Sequence, residues 1–154
     1  MRRLLALATV LGLILGIGVS FASDTNTVTV QANVVGTCKF LSSTSTLDFG
    51  SLDPSSGRDV NASTTVQFWC TKNTNYSISD DDGLYESGAD QNRMKGLGES
   101  DYISYTFSYS PASGTGSGRT TPITLTISGS IAYANYKDAA AGNYSDTVVL
   151  TISP

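Results

Sequence analysis

An all-β sandwich is the fold class this sequence predicts, and three observations predict it. After the first 22 residues, apolar side chains recur at every second position in several short runs, the spacing that places them on one face of a strand. Those runs are separated by clusters of Gly, Pro, Ser, Asn and Asp, which are turn formers. Gly, Ser, Thr, Asn and Tyr are abundant and long helical patterns are lacking, a profile that suits an exported β domain better than an α/β enzyme.

The first 22 residues read as a leader. Met1-Arg2-Arg3 is a basic start, Leu4 to Val19 is an apolar run broken only by Gly and Thr, and Ser20-Phe21-Ala22 supplies small residues where a signal peptidase cuts. Cleavage is expected after Ala22. A membrane anchor is the alternative, and the run is short for it. Of the 9 basic residues, Arg2 and Arg3 leave with the leader, so 7 face 13 acidic ones and the net charge falls to about −6. Such a surface disfavours nucleic acid and anionic membrane as partners.

The first strand expected is Thr25 to Val35, in which Val28, Val30, Ala32 and Val34 share one parity and Thr27, Thr29, Gln31 and Asn33 the other. A one-faced strand is marginal alone and its valines must be buried against something. The periodicity leaves open whether the core that receives them is their own or a neighbour's. Ser42 to Thr46 reads as a loop, Leu47-Asp48-Phe49-Gly50 as a short strand, and Asp53-Pro54-Ser55-Ser56-Gly57 as a turn. The run Ser63 to Cys70 places Val66, Phe68 and Cys70 on one face. Cys38 and Cys70 are the sole cysteines, so in an exported protein they are expected to form one disulfide. Zinc is a weak alternative, because two thiolates in a chain without histidine do not complete a tetrahedral site.

Tyr76 to Ser79 is the next short strand, ended by Asp80-Asp81-Asp82-Gly83. With Gly83 at the sixth position of an EF-hand loop, Ile78 would stand at the first ligand position and cannot coordinate calcium. A surface turn is expected there, with a calcium site of another pattern as the alternative. Glu86 to Glu99 reads as a long excursion between strands. Asp101 to Ser110 reads as one strand, with Ile103, Tyr105, Phe107 and Tyr109 on the core face. Pro111 to Thr121 is a Gly/Ser loop and Thr121 to Ile127 a strand with Ile123, Leu125 and Ile127 inward. Gly129 to Ala132 is a short segment before the loop Tyr136 to Asn143, and Val148, Leu150 and Ile152 form a last one-faced strand with no successor to cover its edge. About six strands plus the N-terminal one, spaced by turns, fit an immunoglobulin-like sandwich.

Catalysis is not expected. Without histidine no Ser-His-Asp or Cys-His arrangement can be built, and the carboxylates that could act in pairs, Asp80 to Asp82, Glu86 and Glu99, lie in turn-like stretches. No cofactor, metal or small-molecule substrate is implied.

Three blocks together resemble the spore coat protein U domain family, to which the pilins of archaic chaperone-usher pili belong. The first is Gly36-Thr37-Cys38 with Leu47-Asp48-Phe49-Gly50, Asp53-Pro54-Ser55-Ser56-Gly57 and Val66-Gln67-Phe68-Trp69-Cys70-Thr71. The second is Arg93-Met94 ahead of Tyr102 to Tyr109. The third is Ile127-Ser128-Gly129-Ser130-Ile131 with Ala141 to Ile152. The chain departs from the pattern in the loop Pro111 to Thr121, where many members carry a Trp-Gly type motif, and in ending on Pro154.

The resemblance implies an incomplete sandwich whose groove is filled first by a periplasmic chaperone and then by the N-terminal strand of the next pilin subunit, with an outer-membrane usher as a further partner. The expected organisation is a signal peptide over 1–22, a donor-strand segment over 23–36 and a sandwich over 37–154. Val28, Val30, Ala32 and Val34 are the expected donor knobs, and Val148, Leu150 and Ile152 the expected edge of the acceptor groove. An uncovered apolar edge is an aggregation hazard, and strand addition removes it. The expected role is a fibre subunit at the cell surface, supporting adhesion and biofilm formation. The alternatives are a spore or cell-coat structural protein, and a monomeric carbohydrate-binding module using Tyr102, Tyr105 and Tyr109.

Overall fold

A computed structural model describes residues 22–154; the expected signal peptide up to Phe21 lies outside the described residues. The chain divides between Asn33 and Val34 into two units. The first, as far as it is described, carries no strand. The strand expected over Thr25 to Val35 is therefore not formed, since a strand exists only where its backbone finds a partner.

The second unit is built on nine strands. β1 (Cys38–Phe40), β2 (Val60–Cys70), β8 (Ile123–Ile131) and β6 (Thr106–Ser110) form a four-stranded antiparallel sheet in the order β1-β2-β8-β6. β7 (Ser113–Thr115), β3 (Asn75–Ser79) and β9 (Thr151–Ser153) form a second sheet in the order β7-β3-β9, while β4 (Arg93–Lys95) pairs with β5 (Tyr102–Ser104). A single four-residue helix, α1 (Tyr133–Tyr136), comes after β8 among the described residues.

β2 shows how the sequence sets the packing. Its inward positions Val66, Phe68 and Cys70 are buried while Thr65 and Gln67 between them are exposed, as period 2 requires. Phe68 and Leu125, both fully buried, meet Tyr76 and Ile78 from the facing sheet in one cluster. Each large side chain so buried contributes about 1.5 to 3 kcal/mol. A second cluster gathers Ile103, Tyr105, Ile131 and Tyr136, and Phe107 packs against both. Cys38 lies opposite Cys70 in the ladder and is bonded to it. Closing that loop stabilises the fold by about 3 to 4 kcal/mol in the chain-entropy picture.

Several expected elements differ. β2 begins at Val60 rather than Ser63, because Val60 to Ala62 pair with Gly129 to Ile131. For the same reason Gly129 to Ile131 is no separate segment but the end of β8. The strand expected over Asp101 to Ser110 breaks at Tyr105: β5 pairs with β4 and β6 with β8, so one alternating run serves two sheets. The excursion over Glu86 to Glu99 contains β4, and the loop over Pro111 to Thr121 contains β7, neither marked by hydrophobic alternation. Leu47 to Gly50 is not a strand, and of the terminal run only Thr151 to Ser153 is laddered.

Candidate functional site

The two runs that alternate without pairing face each other, and a groove lies between them. Leu47 and Phe49 are half-buried and Asp48 is exposed, so the alternation of this first wall holds without a ladder. Leu41 N–H still donates to Gln67 at 2.8 Å. From Ser42 to Phe49, however, no backbone hydrogen bond is made among the described residues. Gly129 allows this wall to lie close to β8: a Cβ there would stand 2.8 Å from the Phe49 ring and 2.9 Å from Leu47. No larger residue leaves that room.

The second wall is Tyr144 to Leu150. One of its sides is satisfied: Ser145 and Lys95 exchange backbone bonds at 2.9 and 3.0 Å, Thr147 C=O accepts from Leu84 N–H at 3.1 Å, and Val149 N–H donates to Asp81 Oδ1 at 2.9 Å. Successive residues of an extended chain turn their amides to opposite sides. Val148 and Leu150 accordingly face the groove, and neither makes a backbone hydrogen bond among the described residues. Asp146 anchors this wall. Its Oδ2 accepts from the Tyr105 hydroxyl at 2.7 Å, and its Oδ1 from Leu84 N–H at 3.0 Å.

Between the walls the groove is a row of three adjoining chambers of about 540, 420 and 280 Å³. Ile103 and Tyr136 floor the largest, Phe107 and Ile127 the middle one, and Phe40 and Val66 the smallest. An apolar floor flanked by the unbonded backbone of residues 42–49 and by that of Val148 and Leu150 has room and backbone partners for an extended chain.

Of the residues expected to edge the groove, Val148 and Leu150 line it, whereas Ile152 pairs with Ile78 inside β9 and belongs to the core. Val28, Val30 and Val34 are 75, 89 and 80% exposed, and Ala32 is exposed as well. Leu47, Phe49, Asp81, Met94, Phe107 and Asp146 were not expected as site residues. The alternation of Leu47 and Phe49 was the available signal for the first wall; the acidic turn marks Asp81 for a cation rather than for the second wall, and nothing local marks Asp146.

The aromatics are structural. Tyr105 is buried, and burial together with its bond to Asp146 pushes its hydroxyl well above the ordinary tyrosine range. Tyr109 is half-buried and donates to Asp80 at 3.0 Å; burial first, then that carboxylate, pushes it up to about 12. Tyr102 lies under the Arg93 guanidinium at 4.4 Å. These positions leave Tyr102, Tyr105 and Tyr109 without a common exposed face. The acidic turn is likewise engaged, Asp80 with Tyr109 and Asp81 with Gly83 and Val149. Among the described residues no group of three or more His, Cys, Asp or Glu could hold a metal ion.

Comparison with known proteins adds four findings. A chain of the CsuC-CsuE chaperone-tip adhesion subunit pre-assembly complex, from the archaic chaperone-usher Csu pili of Acinetobacter baumannii, is similar with a TM-score of 0.52 and 22% identity over 77% of this chain. A chain of a chaperone-tip adhesin complex of CFA/I fimbriae biogenesis is similar with a TM-score of 0.47 and 13% identity, also over 77%. This chain spans 40 and 41% of the length of those two chains, and the first likeness shows a shared fold. No curated protein matches in sequence. The family model of the Spore Coat Protein U domain matches residues 24–151, nearly the whole chain beyond the expected leader, and the chain belongs to that family.

Proposed function

We propose that this chain is a structural subunit of a chaperone-usher surface pilus, in which residues 23–36 of one subunit enter the groove of the sandwich, residues 37–154, of the next. The observation that carries the reading is the groove itself: an apolar floor between two extended walls, with the amides of Val148 and Leu150 free. Val28, Val30, Ala32 and Val34 have the alternation that such a groove selects. Each valine fully buried there contributes about 1.5 to 3 kcal/mol, and Ala32 less. Backbone pairing with the second wall adds register. A head-to-tail insertion does not close on itself and so propagates as a fibre.

Before a neighbour arrives the same groove is an aggregation hazard, which calls for a periplasmic chaperone to occupy it and an outer-membrane usher to pass the subunit outward. Export through a signal peptide cleaved after Ala22, display at the cell surface, and a part in adhesion and biofilm formation complete the reading. The role is structural and needs no catalytic group.

Val30→Asp tests it. A carboxylate in an apolar groove without a partner is costly, so the variant is expected to accumulate as a folded subunit with its chaperone and to form no fibres by electron microscopy. Fibres at the normal yield would refute the donor assignment.

A further inference from the structure

The two ends of the sandwich carry opposite charge. Beside the place where the N-terminal tail leaves the domain, Thr71 Oγ1 donates to the C=O of Val35 at 3.3 Å, and Thr37 N–H donates back to Thr71 Oγ1 at 3.1 Å. Lys72 is next in the chain and exposed. Arg119 lies 5.8 Å over the ring of Trp69, and Lys39 stands opposite Trp69 in the ladder, on the same outer face. No acidic side chain lies in residues 36–40, 66–77 or 112–127. In a domain with an acidic excess this cationic end is the exception.

The far end is acidic. Tyr133 reaches Asp59 and Pro54, Tyr144 reaches Ala140, and Gly142 adjoins Leu97, so the stretches 51–60, 96–101 and 132–144 come together there. They hold Asp53, Asp59, Glu99, Asp101 and Asp138 against Arg58 and Lys137, and Lys137 is already 3.6 Å from Asp138. Leu97, between Gly96 and Gly98, is 91% exposed at this end.

We infer that the cationic end of one subunit docks on the acidic end of the next, a contact separate from the groove; the inference rests on the donor-strand reading. Only Val35 and Gly36 separate the last donor knob, Val34, from Thr37, which is bonded to the domain. Three residue steps span at most about 10 Å, so the donor's cationic end must come to rest against whichever end of the acceptor groove receives Val34. At the acceptor's own cationic end it would meet Lys72 and Arg119 of like sign. At the acidic end it meets Glu99 and Asp138, which opposite charge favours. The occupant of each end is therefore a second copy of this chain, and the charge pattern sets the direction in which the tail lies in the groove.

A carbodiimide that joins amines to carboxylates in direct contact tests this in fibres of the full exported chain. Peptide mapping by mass spectrometry is expected to find Lys72 joined to Glu99, Asp138, Asp53 or Asp59 in fibres and not in Val30→Asp subunits. The yield is expected to fall when salt is raised from about 0.01 M to about 1 M, which shortens the screening length from about 30 Å to about 3 Å. Lys72→Glu combined with Glu99→Lys is expected to give the reciprocal link between the same two positions. Fibres with no such link from Lys72, or the same links in subunits that cannot polymerise, would overturn the end contact and leave the donor-strand reading standing. If the unmodified chain forms no fibres, both fall.

Discussion

The sheet β1-β2-β8-β6 and the two groove walls carry the same hydrophobic alternation and meet different fates. Along β2 the alternation is joined to a ladder that leaves no residue of the strand without a partner, Phe68 to Cys70 against β1 and Val60 to Phe68 against β8. Along Leu47 to Phe49 and Val148 to Leu150 the side chains turn inward in the same way, yet the backbone finds no strand. Alternation decides which face a chain buries, and a partner decides whether it becomes a strand. In this molecule the second condition is withheld on both sides of one groove.

That contrast predicts where substitutions act. The largest effect on the subunit itself is expected from Phe68→Ala, at the fully buried centre of the closed sheet, which should cost about 3 to 5 kcal/mol in denaturant unfolding. A loss comparable to that of a groove substitution such as Leu150→Ala would dissolve the distinction. Removing the bond between Cys38 and Cys70 by double alanine substitution should cost about 3 to 4 kcal/mol, read by the same measurement against the oxidised parent protein. Gly129→Val sharpens the comparison from the other side. It overpacks against Phe49 and Leu47, with an expected cost of about 1 to 3 kcal/mol, and by displacing the first wall it should weaken strand uptake more than unfolding alone explains. Competition with a peptide of residues 25–35 measures that uptake.

The smallest effect is one of pH. The Tyr109 hydroxyl is raised from its ordinary value of 10.0 to about 12, so the fold favours its neutral form. Its contribution to stability is full below pH 10 and is lost as pH rises from 10 towards about 12. Tyr109→Phe should flatten part of that alkaline decline, measured by unfolding across the window.

How much of this was legible in the sequence obeys the same division. The inward residues of β2, β3 and β8 were readable because each lies in an alternating run with a partner, and the cysteine pair because the chain has no other thiols. β4 and β7 were not, since Arg93-Met94-Lys95 and Ser113-Gly114-Thr115 carry no apolar stripe and owe their strands to neighbours. The break at Tyr105 was hidden because side-chain parity runs through it unchanged while the pairing partner switches. Within the groove, Val148 and Leu150 were visible as an apolar edge. Asp146 and Asp81 were not, because their work depends on Tyr105, Leu84 and Val149, which are distant in the chain or unmarked in it.

The placement of the disulfide has a mechanical consequence. The tail leaves the domain at Gly36, and two residues later Cys38 is joined covalently to Cys70 at the end of the longest strand. In the proposed fibre, tension applied through that tail enters the domain at Cys38 and passes directly into β2, which is paired with β8 from Val60 to Phe68. The three-residue β1, which hydrogen bonds alone would let peel away one bond at a time, is spared that pull. A subunit of the proposed fibre is thereby gripped by its central sheet.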